Sequence, residues 1–103
     1  QHIGPLRIDV TRRQLTIAGE PRQLTLREFD LLYFLALHPG RIFSRAELLQ
    51  RVWGAGFDGY EHTVNSHINR LRSKVEPDPQ APRLIETVWG LGYRFNPPAT
   101  QAP

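Results

Sequence analysis

Between His62 and Val75 the chain reads HTVNSHINRLRSKV, and its side chains fall into two chemical classes at helical spacing. Val64, Ile68, Leu71 and Val75 recur every three or four positions, so at ~100° per residue they share one narrow arc. His62, Ser66, Asn69, Arg70 and Ser73 point the opposite way, and no carboxylate lies between Glu61 and Glu76. That second face offers hydroxyls, an amide, an imidazole and a guanidinium. A guanidinium donates two parallel hydrogen bonds, and an amide donates and accepts side by side, which complement the patterns that base edges present in a duplex groove. A helix anchored by its apolar stripe, with this face outward, fits the major groove of DNA.

Catalytic chemistry finds no comparable support. The histidines at 2, 38, 62 and 67 lack metal-ligand spacing; His62 and His67 lie roughly 140° apart on the helix and cannot share an ion. Asp58 and Glu61 are close in sequence, but no nucleophile accompanies them, and carboxylates in an exposed loop are ordinarily just solvated. Gly90-Leu91-Gly92 lacks the strand-to-helix setting of a phosphate loop. The chain reads as neither an enzyme nor a holder of metal or cofactor.

Composition sets the remaining bounds. The chain has 103 residues, 40% of them hydrophobic and 22% charged, which suits one compact domain and leaves no room for two. A formal charge of +3 permits a polyanionic partner. Its distribution says more, because Asp58, Glu61, Glu76 and Asp78 bracket the helix and leave Arg70, Arg72 and Lys74 as a basic window. Cysteine is absent, which excludes disulfides and thiolate metal sites and allows a reducing compartment. No apolar run approaches the ~20 residues of a membrane span, and no signal peptide pattern opens the chain. Methionine is absent even at position 1, from which we expect an upstream domain to precede Gln1.

The elements that must position the helix follow from patterning. Residues 1–5 read as a linker remnant. Residues 6–10 and 14–17 alternate as strands, Gly19-Glu20-Pro21 reads as a turn, and 22–24 as a third extended stretch, together an amino-terminal antiparallel sheet. Thr25-Leu-Arg-Glu28 is a capping box, so a central buried helix is expected from there to His38, stopped by Pro39-Gly40. Ser44-Arg-Ala-Glu47 repeats that chemistry and predicts a second helix carrying Leu48, Leu49, Val52 and Trp53 inward until Gly54. Gly54, Ala55, Gly56, Phe57, Asp58 and Gly59 read as an exposed loop before the third helix. Pro77, Pro79 and Pro82 end that helix. Residues 84–88 and 92–95 predict a hairpin around Trp89-Gly90-Leu91, and residues 97–103 a disordered tail beyond a domain spanning 6–96. The fold class is α+β: sheet, three helices with a helix-turn-helix, and a C-terminal β-hairpin wing.

The segments LTLREFDLLYFLALHPGRIFSRAELLQRVWG, HTVNSHINRLRSKVE and IETVWGLGYRF, in this order and spacing, resemble the effector domain of OmpR/PhoB-class bacterial response regulators. The likeness spans roughly residues 6 to 95. It implies a winged helix that binds double-stranded promoter DNA, commonly with a second copy in tandem on direct repeats. It also implies a phosphorylated receiver domain upstream, a cytoplasmic two-component phosphorelay, and a 54–59 loop that can approach RNA polymerase.

Carried over residue by residue, the resemblance puts Arg70 and Arg72 near base edges or adjacent phosphates. Arg70, on the outward face, suits guanine, while Arg72 lies nearer the flank, where a phosphate contact or simple solvation is easier. His62, Ser66, Asn69 and Ser73 complete the base-facing set. Trp53, Thr63, His67 and Tyr93 match positions that hold the sugar-phosphate backbone, and Lys74 and Thr87 join them. Trp53 and Tyr93 could equally be core aromatics with wet polar tips, and His67 could seal the helix edge; an aromatic body can pack while its tip donates. The chain departs from the family at two positions. Asn69 stands where some members have arginine, and favours adenine. Trp89 stands at the wing tip where others carry an arginine, and cannot supply that charge to a minor groove.

The rival reading is a winged-helix module that docks on proteins without sequence-specific DNA binding. Such a helix would expose aromatic or aliphatic anchors, whereas this one exposes small polar and cationic groups.

Overall fold

The computed structural model describes residues 1–57 and 59–98. Four short strands come first: β1 (His2–Ile3), β2 (Leu6–Asp9), β3 (Gln14–Ile17) and β4 (Glu20–Arg22), hydrogen-bonded in that order as an antiparallel sheet. Alternation chooses its faces, since Leu6, Ile8 and Leu15 are buried while Arg7 and Gln14 are exposed. Two expectations shift. His2–Ile3 is not linker but pairs with Leu6 and Arg7. The β3–β4 turn falls on Ala18 and Gly19, both with positive φ (50° and 83°), so Glu20 and Pro21 belong to the strand and not to the turn. Two consecutive positive-φ residues make the tight turn that follows strand twist, and Pro21 is accommodated because β4 is an edge strand.

Helix α1 (Leu26–Leu37) begins with the expected capping box: the Thr25 hydroxyl accepts from Glu28 N–H at 3.2 Å, and the Glu28 carboxylate accepts from Thr25 N–H at 3.0 Å. It buries Phe29, Leu31, Leu32, Leu35 and Ala36 at the centre of the core. Ser44 and Glu47 repeat the box at α2 (Arg45–Leu48). The second helix does not continue as an α-helix to Trp53. Leu49–Trp53 instead forms a π turn, closed by Gly54 N–H to Leu49 C=O at 3.0 Å. The Val52 carbonyl in that turn accepts from Arg27 Nη1 of α1 at 2.6 Å, which satisfies it from outside the segment.

Helix α3 (His62–Val75) buries Val64, Ile68, Leu71 and Val75 as the spacing predicts. Strands β5 (Ile85–Val88) and β6 (Gly92–Phe95) form the wing. Phe43 and Tyr93 exchange backbone hydrogen bonds at 2.9 Å, joining the wing to the α1–α2 link. Gly92 is required there: its φ is +145°, and a Cβ would fall on the Phe43 carbonyl. Of the expected tail, Pro98 is half-buried beside Gly4, and 99–103 lie outside the described residues. No helix among the described residues is long and apolar enough to cross a membrane.

Candidate nucleic-acid interface

The outward face of α3 is formed as expected. His62, Ser66, Asn69, Arg70 and Ser73 are exposed, while the residues of the opposite stripe are at most 3% exposed. Two hydroxyls are partly occupied: Ser66 donates to His62 C=O at 3.3 Å and Ser73 to Arg70 C=O at 2.7 Å, and both keep lone pairs to accept. Tyr60, 75% exposed, stacks against the His62 ring at 5.5 Å and 11°. Among the described residues, Arg70 and Asn69 have no side-chain hydrogen bond or ion pair and are free to engage a ligand.

Arg72 is turned elsewhere. Its Nε and Nη2 donate to Ile85 C=O at 3.2 and 2.8 Å, and Nη2 also donates to the Thr87 hydroxyl at 2.7 Å. The guanidinium lies over the Tyr93 ring, 5.5 Å from its centroid. Desolvation pulls the Arg72 pKa down, opposed by Tyr93 and Glu76, in keeping with a half-buried cation held between helix and wing. The geometry thus removes Arg72 from the base-facing row. Thr87, expected as a phosphate donor, accepts this bond. Lys74 is likewise committed, to Glu28 of α1 at 2.6 Å.

Tyr93 is both core and polar. Its ring is buried and its hydroxyl donates to Asn65 Oδ1 at 2.8 Å, while burial pushes the phenol pKa up against the pull of Arg72 and Arg45. Asn65 was not singled out by sequence reasoning; at an intermediate position on the helix it carried no signal apart from its partner. His67 Nδ1–H donates to Thr63 C=O at 2.9 Å, and the ring meets the Trp53 ring edge-on at 4.9 Å. Trp53, half-buried, has the Arg27 guanidinium 5.2 Å over its ring and Phe57 6.3 Å away. Trp53, His67 and Tyr93 thus each pack an aromatic body beside α3.

The wing lies beside α3 through three ties: Arg72 to Ile85 and Thr87, Tyr93 to Asn65, and Glu76 to the wing entry. Glu76 is buried, and its carboxylate accepts from the N–H groups of Arg83 (2.8 Å), Leu84 (3.0 Å) and Ile85 (2.8 Å). At the tip Trp89 is 91% exposed. In the loop, Gly54 is half-buried, Ala55, Gly56 and Phe57 are exposed, Gly59 is half-buried, and Asp58 lies outside the described residues. Among the described residues no cluster of His, Cys, Asp or Glu could hold a metal.

With this geometry in place, likeness to known proteins is informative. The family described as "Transcriptional regulatory protein, C terminal" matches residues 19–95. The sensory transduction protein RegX3 of Mycolicibacterium smegmatis is 48% identical over 92 residues, which are 89% of this chain and 40% of RegX3. The chain thus spans about two fifths of that relative's length. Response regulator DrrB of Thermotoga maritima, an OmpR/PhoB homologue, superposes with a TM-score of 0.85 at 35% identity, covering 93% of this chain and 43% of DrrB. The RstA DNA-binding domain of Klebsiella pneumoniae, solved in complex with the RstA box, gives a TM-score of 0.85 at 38% identity over 94% of this chain and 96% of that domain. Family match, strand order and helix placement agree, and the chain belongs to the C-terminal transcriptional regulatory family as a winged-helix domain of the OmpR/PhoB type.

Proposed function

We propose that this chain is the output domain of a two-component response regulator, binding double-stranded DNA by sequence to regulate transcription. The observation that carries the reading is the row His62, Ser66, Asn69, Arg70 and Ser73, exposed on one side of a helix whose other side is fully buried, with no carboxylate among them. In the major groove Arg70 suits guanine O6 and N7, and Asn69 suits adenine N6 and N7. Trp53, Thr63 and His67 lie at the edge of α3, where sugar-phosphate contacts are within reach, and Trp89 occupies the wing tip. Arg72 and Lys74 serve by holding α3 against the wing and α1 rather than by touching DNA. The complex of the similar RstA domain with its box supports this reading.

For the whole protein we propose an upstream receiver domain, phosphorylation-controlled pairing of two copies on direct repeats, and residence in a bacterial cytoplasm. The 54–59 loop is the surface for RNA polymerase; Phe57, 44% exposed, gives it the apolar anchor that α3 lacks.

Selection of bound sites from a random duplex pool tests the function. The expected result is a defined motif, a salt slope near −0.9 per phosphate neutralised, and relaxed preference at one position, by ~1–3 kcal/mol, in Arg70→Ala. Duplex binding indifferent to both salt and Arg70 would support the protein-docking reading instead.

A further inference from the structure

Tyr60 precedes α3 and is 75% exposed. A single exposed aromatic ring says little by itself. What sets Tyr60 apart is how it is held. Its C=O accepts from Thr63 N–H at 3.0 Å in the turn that starts α3, which ties its backbone to the helix it does not belong to. Its ring lies parallel to that of His62, with centroids 5.5 Å and planes 11° apart. The intervening Glu61 is drawn to α2, its carboxylate 3.5 Å from Arg45 Nη2. The result is a two-ring shelf, free of any carboxylate, at the N-terminal end of the outward row. The rest of that row, Ser66, Asn69, Arg70 and Ser73, is hydroxyl, amide and guanidinium.

We propose that this shelf reads a thymine: Tyr60, held against His62, packs on the C5-methyl group of a thymine in the major groove. The inference rests on the DNA-binding reading above and deepens it, by assigning a specificity-determining residue that lies outside the helix. Among the features that base pairs display in the major groove, the thymine methyl is the apolar one; the others are hydrogen-bond donors and acceptors. An aromatic ring has nothing to offer those groups and covers a methyl well. Tyr60 is also placed in advance, since its backbone is tied to the first turn and its ring is already stacked, so little ordering remains when the duplex arrives. Recognition helices meet base edges with their N-terminal residues, which is the end the shelf occupies. The row then reads by two chemistries, hydrogen bonding at Asn69 and Arg70 and apolar contact at Tyr60. The contact is worth one methyl taken out of water, about 4-fold in affinity.

The test uses the 103-residue chain, a duplex that it selects from a random pool, and copies of that duplex with each thymine in turn replaced by uracil, which lacks only the methyl. The parent chain is expected to lose about 4-fold in affinity at one thymine. Tyr60→Ala is expected to lose about as much on the unmodified duplex, to be indifferent to uracil at that same position, and to melt like the parent. Tyr60→Phe keeps the ring and is expected to match the parent in affinity and in uracil sensitivity. Arg70→Ala serves as the control for base reading; it is expected to relax preference at a different position and to keep the uracil effect. If no thymine is sensitive, or if Tyr60→Ala is as sensitive as the parent at every position, the shelf proposal fails, while the selected motif and the Arg70→Ala result leave DNA binding standing. A loss in Tyr60→Phe equal to that in Tyr60→Ala would assign the effect to the phenol oxygen, and would also overturn the proposal. A parent chain that selects no motif overturns both readings.

Discussion

Lys74 Nζ stands 2.6 Å from Glu28 Oε1, an ion pair between residues 46 positions apart in which the carboxylate is buried and the ammonium half-exposed. The same carboxylate oxygen accepts from Thr25 N–H, so one group caps the start of α1 and grips the end of α3. The rotation of α3 about its axis, and with it the direction of Arg70, is thereby referred to the most buried helix of the domain.

Lys74→Met keeps most of the aliphatic stem and leaves Glu28 without its cation. We expect a loss of about 1–3 kcal/mol, below the range for fully buried pairs because Lys74 is partly solvated. The check is a lower urea midpoint at unchanged m. An unmoved midpoint would mean that the pair contributes nothing.

Acid should destabilise the fold through carboxyls that titrate low. Burial pushes Glu28 up, but its bonds from Lys74 and Thr25 outweigh this and hold it below its ordinary 4.5. Arg94 and Asn96 lower Glu86, and the Ser44 N–H lowers Glu47. A carboxyl whose folded value lies below its unfolded one contributes stability that is complete above the unfolded value and is lost as pH falls through the folded one. Stability should therefore hold at neutral pH and decline from about pH 4.5 downward. Glu28→Gln should flatten that decline in denaturation curves recorded at successive pH values; an identical acid limb would refute the assignment to Glu28.

Arg72→Lys preserves charge but loses the planar fork that sets Nε and Nη2 on Ile85 C=O and Nη2 on the Thr87 hydroxyl. About 1–2 kcal/mol of stability should go, and amides 85–88 should exchange faster. A retained exchange pattern would show that Glu76 and Tyr93 alone hold the wing.

Gly92→Ala should cost about 2 kcal/mol or more, because a Cβ there meets the Phe43 carbonyl at a positive φ. The expected signature is loss of exchange protection at Phe43 and Tyr93, whose paired bonds cross that point. Wild-type protection in the variant would contradict it.

Much of this architecture was legible because its signals are local. Thr25 and Ser44 lie three residues before Glu28 and Glu47, so both capping boxes could be read directly, and the α3 stripe needed only its period. Four features escaped because their causes are distant in sequence. The Val52 carbonyl of the π turn finds its donor in Arg27 of α1, and Arg72 turns away from the outward face because Ile85 and Thr87 are there to receive it. Lys74 finds Glu28 only when α1 packs on α3, and Asn65 matters only through Tyr93. Long cationic side chains within a turn of the apolar stripe have two directions open to them, and periodicity alone does not choose between them. The pairing of His2–Ile3 and the strand start at Glu20 are short edge features with little patterning to reveal them.

Because Arg72, Glu76 and Tyr93 pin the hairpin to α3, the protein brings a fixed gauge to its proposed target, and any conforming must be done by the duplex. Base steps that yield cheaply, such as TA or CA, would then be favoured between the positions that side chains inspect. Preference would extend to nucleotides that no residue contacts.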